Sequence, residues 1–199
     1  MKLPELESLP EAHPLRISES AQRFNATPNQ PDSSHDRVVV FIDGANLFYA
    51  ALQLGIEIDY VKLLACLIQG RHFVRAYFYT GVDPQNDKQQ GFLHWMRRNG
   101  YRVVAKELIQ FPDGSRKANL EVEIAVDMLT LAQYCDTVVL LSGDGDLSYA
   151  VNALSYQGIR VEVVSLHAMT SDTLINVADC YTDLTSIQTA IQRSPAVKP

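Results

Sequence analysis

A chain of 199 residues with 47% hydrophobic and 20% charged content has the material for one ordinary domain with a sizeable core. Its formal net charge of −6 sets phosphate-bearing partners against a repulsive background, which argues mildly against a dedicated DNA- or RNA-binding module. It leaves a metal-dependent nuclease open, because an acidic site adds to the negative count and its cation reverses that count locally.

Cys66, Cys135 and Cys180 stand far apart with no Cys-x-x-Cys pair, so neither a disulfide framework nor a zinc site is expected. The first thirty residues lack an apolar secretory core, and no apolar run is long enough to span a bilayer. A soluble cytoplasmic protein with no membrane partner is expected.

Residues 1–36 carry Pro4, Pro10, Pro14, Pro28 and Pro31 among Ser, Asn and Glu. Such a segment buries too little apolar surface to offset its ordering entropy, and it is expected to be a disordered tail. Val38 to Ile42 is a continuous β-branched and aromatic run, suited to a strand buried on both faces. Asn46 to Leu54 reads as a helix, and Asp59 as the N-cap of a second over Tyr60 to Gln69. Phe73 to Tyr79 is a second strand. Gln89 to Arg98 is helical, with Phe92, Trp95 and Met96 on one face and Gly100 just past its end. Tyr101 to Ala105 is a third strand. Glu121 to Gln133 is helical, with Val122, Ala125, Val126 and Leu129 as the expected buried face. Thr137 to Leu141 and Ile159 to Ser165 are further strands around a helical stretch from Leu147 to Gln157. Residues 194–199 are expected to fray, which leaves 37–193 as the domain.

Repeated strand–helix–strand units of this length predict an α/β fold: a three-layer α/β/α sandwich of Rossmann type with a mostly parallel sheet. In such sheets the ligand site lies outside the carboxyl ends of the strands, near a switch in strand order.

Three acidic elements stand where that rule points. Asp43 follows the first strand at once, in Phe41-Ile42-Asp43-Gly44-Ala45-Asn46. Helix capping competes with a functional role there, more seriously for Asn46 than for Asp43. Leu141-Ser142-Gly143-Asp144-Gly145-Asp146 again ends an apolar strand in carboxylates, with glycines that let the backbone turn sharply. Crowded like charges are costly unless a cation sits between them. Hard oxygen donors suit Mg²⁺ or Mn²⁺ rather than zinc. In the third element, Glu123 and Asp127 share a helical face and Glu121 lies on another, so the three cannot serve one ion.

The runs FIDGANLFYA, KANLEVEIAVDML and LLSGDGDLSYAVNALSYQGIRVEVVS, in this order and spacing, resemble the NYN domain, and more narrowly its LabA-like group. The resemblance covers about residues 37 to 185 and ends in TSDTLINVADCYTDL. It implies a PIN-like fold and metal-dependent ribonuclease chemistry. The family's acidic residues match Asp43, Glu121, Asp144 and Asp146, with Asn46 beside them. Glu121 is one methylene longer than the family's usual Asp, and Asn119 replaces its Gly. Asp127 matches an acid common in the LabA-like group.

On this resemblance Asp43, Asp144 and Asp146 hold one or two Mg²⁺ or Mn²⁺ ions, with Glu121 completing the shell and Asp127 secondary. Asn46 positions the phosphate or the attacking water. Arg116 and Lys117, just before Glu121, are candidates to hold the RNA substrate, as are Arg97 and Arg98, although charged pairs are more often a solvated helix face. Tyr79 is open to base stacking or to packing on the sheet. The rival reading is a non-catalytic LabA-like regulator of gene expression that binds RNA or a protein partner. Homodimerisation through an exposed sheet edge stays open. Receiver and dehalogenase-like phosphatase patterns do not fit, and no Gly-x-Gly-x-x-Gly follows the first strand.

Overall fold

The computed structural model describes residues 36–112, 114 and 116–193. The expected tail before Asp36 and the expected frayed end at 194–199 lie outside the described residues. Strand β1 (Arg37–Asp43) is the run of Val38 to Ile42 with one residue added at each end, and that run is fully buried. It is covered on both faces and paired on both edges, with β2 (His72–Val82) on one side and β6 (Thr137–Leu141) on the other. The sheet continues outward to β3 (Tyr101–Glu107) beyond β2, and to β7 (Arg160–Ser165) and β8 (Cys180–Asp183) beyond β6. Its order is β3-β2-β1-β6-β7-β8, with every pair parallel.

Alternation along β1 divides the core. Val38, Val40 and Ile42 face α1 (Gly44–Leu54), α2 (Tyr60–Ile68), α3 (Asp87–Arg98) and α7 (Leu184–Ile191). Val39 and Phe41 face α4 (Glu121–Leu131), α5 (Ser148–Tyr156) and α6 (Asp172–Val177). Each buried aliphatic or Phe side chain stabilises the fold by roughly 1.5–3 kcal/mol relative to its exposed state. The result is the expected three-layer α/β/α sandwich. Among the described residues no helix is long and apolar enough to cross a membrane.

Two helix faces differ from the sequence expectation. In α3 the fully buried residues are Leu93 and Met96, while Trp95 is 40% exposed. In α4 the sheet takes Ile124 and Met128, while Val122 and Val126 are 72% and 55% exposed. That helix is apolar on opposite sides, so its pattern does not choose a face. The longer Ile and Met side chains gain more dispersion attraction against the sheet than valines at the same depth, and packing decides.

The amino edge of the sheet is fastened by Arg71. Its side chain, 8% exposed, donates to the Leu67 and Ile68 carbonyls at 2.8 and 3.0 Å and to both Glu162 oxygens at 3.1 and 3.0 Å. Asp36 lies 3.5 Å from the same guanidinium and accepts from Thr137 Oγ1. One residue thus occupies carbonyls at the open end of α2 and ties it to β7. Beyond β3 a small antiparallel hairpin, β4 (Ile109–Gln110) with β5 (Arg116–Lys117), leads into α4.

Candidate active site

The chain runs from β1 toward β2 and β3 on one wing of the sheet, and from β6 toward β7 and β8 on the other. The strand order therefore switches between β1 and β6, which places a crevice at their carboxyl ends. Both strands end there in acidic turns.

Asp43 continues the alternation of Val39 and Phe41 and so belongs to the α4 side of the sheet. Its Oδ1 accepts from Ala45 N at 3.0 Å and Asn46 N at 3.1 Å, which caps α1. Its Oδ2 accepts from Ser142 Oγ at 3.1 Å, and that Oγ in turn accepts from Asp144 N at 3.2 Å. Asp144 Oδ1 accepts from Asp146 N at 2.9 Å, which opens the 3₁₀ turn Gly145–Leu147. Ser142 is fully buried and joins the two acidic turns.

Capping therefore falls to Asp43 and not to Asn46. Asn46 Oδ1 is buried without a hydrogen-bond partner, and leaving a buried polar atom unpaired costs stability. Burial raises the Asp43 pKa above the ordinary carboxylate range, with the charge of Asp144 adding to it, against the hydrogen bonds from Asn46, Ser142 and Ala45.

The glycines matter here for room. A Cβ on Gly143 would overlap the Met169 carbonyl, and one on Gly44 would stand 2.7 Å from the Tyr79 carbonyl oxygen. Ser171 N donates to the Gly143 carbonyl at 3.0 Å, tying the acidic turn to the segment that follows β7.

The other acids stand differently. Glu121 is the first residue of α4 and half-buried, with no side-chain cap at the preceding Leu120. Glu123 pairs with Lys106 Nζ at 2.7 Å, and that ammonium holds its carboxyl below the usual range. Asp127 accepts from Tyr79 Oη at 2.8 Å. Burial foremost, then this bond, pushes the Tyr79 hydroxyl far above its ordinary value. Tyr79 is 1% exposed, so of the two roles open to it packing is the one observed. Asp146 is exposed. Lys117 is exposed on the β5 hairpin beside Arg116, whose side chain lies outside the described residues.

The structure thus links Asp43 and Asp144 through Ser142. Among the described residues the side chains of Glu121, Asp127 and Asp146 make no hydrogen bond to that pair, and no three His, Cys, Asp or Glu side chains are gathered as a ready metal cage. What does stand at the switch point is two coupled carboxylates and an unpaired amide oxygen. These are hard oxygen donors that fit a divalent cation of the Mg²⁺ or Mn²⁺ kind.

Two predictions arise from these contacts. With metal removed by EDTA, Asp43 favours folding while protonated. That contribution is complete below the unfolded carboxylate pKa and is lost as pH rises through the raised folded value. The Tm advantage of wild type over Asp43→Asn is expected to shrink as pH rises through this window, and added Mn²⁺ to restore it, since the cation selects the ionised carboxylate. An unchanged difference across the window would remove Asp43 as a buried titrating group. Separately, Tyr79→Phe is expected to cost about 1 kcal/mol in urea unfolding through loss of the bond to Asp127. An unchanged urea midpoint in that variant would show that the Tyr79–Asp127 bond adds nothing to stability.

Sequence reasoning passed over Ser142. Its signal was present: counted two residues on from Leu140, it falls on the same sheet face as Asp43.

The NYN domain family matches residues 37–185. The low amplitude and bright protein LabA of Synechococcus elongatus is 36% identical over 172 residues, spanning 82% of this chain and 91% of that one. The crystal structure of a protein of unknown function, VPA0982 from Vibrio parahaemolyticus, superposes with a TM-score of 0.70 at 28% identity. It covers 80% of this chain and 98% of that one.

Proposed function

The chain belongs to the NYN domain family, and from that membership and the paired acidic turns we propose that it is a metal-dependent ribonuclease acting at the carboxyl ends of β1 and β6. The observation that carries this reading is the Asp43–Ser142–Asp144 linkage at the switch point, where burial and Asp144 together raise the pKa of Asp43. RNA as substrate follows from the family.

Asp43 and Asp144 are the primary holders of Mg²⁺ or Mn²⁺, with Asp146 and Glu121 completing the set and Asp127 secondary. When bound, the cation supplies an activated water near neutral pH and offsets charge on the scissile phosphate. Ser142 fixes the Asp43 carboxylate by donating to Oδ2, so that its other lone pairs keep their direction. Asn46 presents its free Oδ1 to the water or the ion. Arg116 and Lys117, on the hairpin before α4, neutralise phosphates flanking the cut.

The test is cleavage of a labelled single-stranded RNA with Mn²⁺, with Mg²⁺ and with EDTA. Cutting that needs the metal supports the reading. Measurable metal binding without cutting, over a broad set of RNA and DNA substrates, would favour a non-catalytic role. That second reading, a LabA-like regulator holding RNA or a protein partner, draws on the similarity to LabA and on the separate position of Glu121.

A further inference from the structure

Away from the acidic turns, Arg75, Arg97 and Arg102 line one groove of about 430 Å³ with Gly100, Tyr101 and Val103. All three guanidiniums are on exposed residues. Among the described residues none of them has a carboxylate partner. On a chain of net charge −6, with acids available to neutralise them, three unpaired arginines around one concavity repel one another, and an anion would relieve that.

Ordinary explanations cover only part of the cluster. Arg97 lies in the last turn of α3, where a cation complements the helix dipole. Arg102 is on the edge strand β3, where charge discourages edge pairing. Arg75 lies on the inner strand β2, in register with Val39 of β1 and one residue before the pairing with β3 begins, so the helix-dipole reason does not apply to it.

Two of the three arginines share a sheet face, while Arg97 comes from α3 on the other. Tyr77 and Tyr79 pack on the α4 side of the sheet, and Arg75 shares their alternation. Arg102 stands in register with Tyr77. Both arginines therefore open onto the sheet face that carries Asp43. Tyr79 is in register with Asp43 on one side and Val104 on the other, so strand spacing and rise put Arg102 ~12 Å from Asp43. Further along the same face of β3 comes Lys106, and beyond it the hairpin with Lys117.

We propose that the Arg75–Arg97–Arg102 groove is a second binding site, which holds the phosphate backbone of single-stranded RNA at a distance from the cut. The inference rests on the ribonuclease reading for the identity of the polyanion. Guanidinium forks match phosphate oxygens in pairs. The groove offers no exposed ring on which a base can stack, since its Tyr101 is buried. Recognition there is of the backbone and not of sequence.

The experiment is fluorescence anisotropy of a labelled, unstructured oligoribonucleotide with the full chain in EDTA, repeated over a range of salt. The double variant Arg75→Ala/Arg102→Ala is expected to bind roughly tenfold more weakly, and its log–log salt slope to fall by about 0.7 for each phosphate no longer neutralised. Lys88→Ala, an exposed cation on α3 outside the groove, is expected to bind as wild type does. Arg75→Lys/Arg102→Lys should keep most of the salt slope. Retained melting temperature confirms that the variants are folded. Wild-type affinity and slope in the double-alanine variant would overturn the proposal. So would no RNA binding by the wild type, or equal competition by an acidic peptide. Groove-dependent binding with no metal-dependent cleavage would sink the ribonuclease reading while leaving the groove intact.

Discussion

Asp144→Asn is expected to lower metal-dependent RNA cleavage by ~10²-fold or more, on the scale of removing one charge-stabilising group from a preorganised site. It should do so without loosening the fold. The asparagine oxygen still accepts from Asp146 N, as Asp144 Oδ1 does at 2.9 Å. Removing the charge also lifts one of the influences that raise the Asp43 pKa. The metal-free melting temperature is therefore expected to hold or rise, while the stabilisation that Mn²⁺ gives wild type falls away. Cleavage assayed beside thermal melts with and without Mn²⁺ separates the cases. A variant that cuts at the wild-type rate would place the active centre elsewhere. One that melts well below wild type would make Asp144 a structural turn residue.

The largest stability effect is expected from Arg71→Ala. Its guanidinium is nearly enclosed and makes four hydrogen bonds to two elements, α2 and β7. Truncation leaves the Leu67 and Ile68 carbonyls without this donor and leaves Glu162 to Arg160 alone, an exposed partner at 3.0 Å. Breaking such a pair by removing one member costs about 3–5 kcal/mol. For a domain of this size that lowers Tm by roughly 10 °C. Arg71→Lys recovers little, because a single ammonium cannot reach two helix carbonyls and both Glu162 oxygens together. Urea unfolding measures the loss directly, and a change under about 1 kcal/mol would mean that the clamp contributes no more than a surface pair.

The parts of the fold that were legible in the sequence are those whose burial leaves no choice of face. Val38 to Ile42 and Thr137 to Leu141 are apolar at every position because a central parallel strand is covered on both sides. Asp59 announced α2 by the cap it makes to Val61 N and Lys62 N. Strand β8 gave no such sign. It is an edge strand of Cys180-Tyr181-Thr182-Asp183, half-buried throughout, and neither a continuous apolar run nor a clean alternation marks it. The face of α4 was illegible for a different reason, since apolar stripes on opposite sides of one helix leave the choice to packing partners far away in sequence. At the site, the positions of Asp43 and Asp144 at strand ends could be read from the pattern of an α/β chain. That Ser142 joins them depends on the register of β1 against β6, which no local window contains.

Asp43 and Ser142 are 99 residues apart, although they meet across neighbouring strands. A chain leaving the ribosome makes β1, β2 and β3 long before β6 exists. Through that interval Asp43 has neither Ser142 to hold it nor Asp144 beside it. Closing so long a loop returns no stability until β6 is seated next to β1. The linkage of the two acidic turns thus arrives late in synthesis, with the joining of the two wings of the sheet. A nascent or prematurely ended chain, surrounded by the messenger and ribosomal RNA of its own making, carries Asp43 and Asn46 yet lacks the assembled centre.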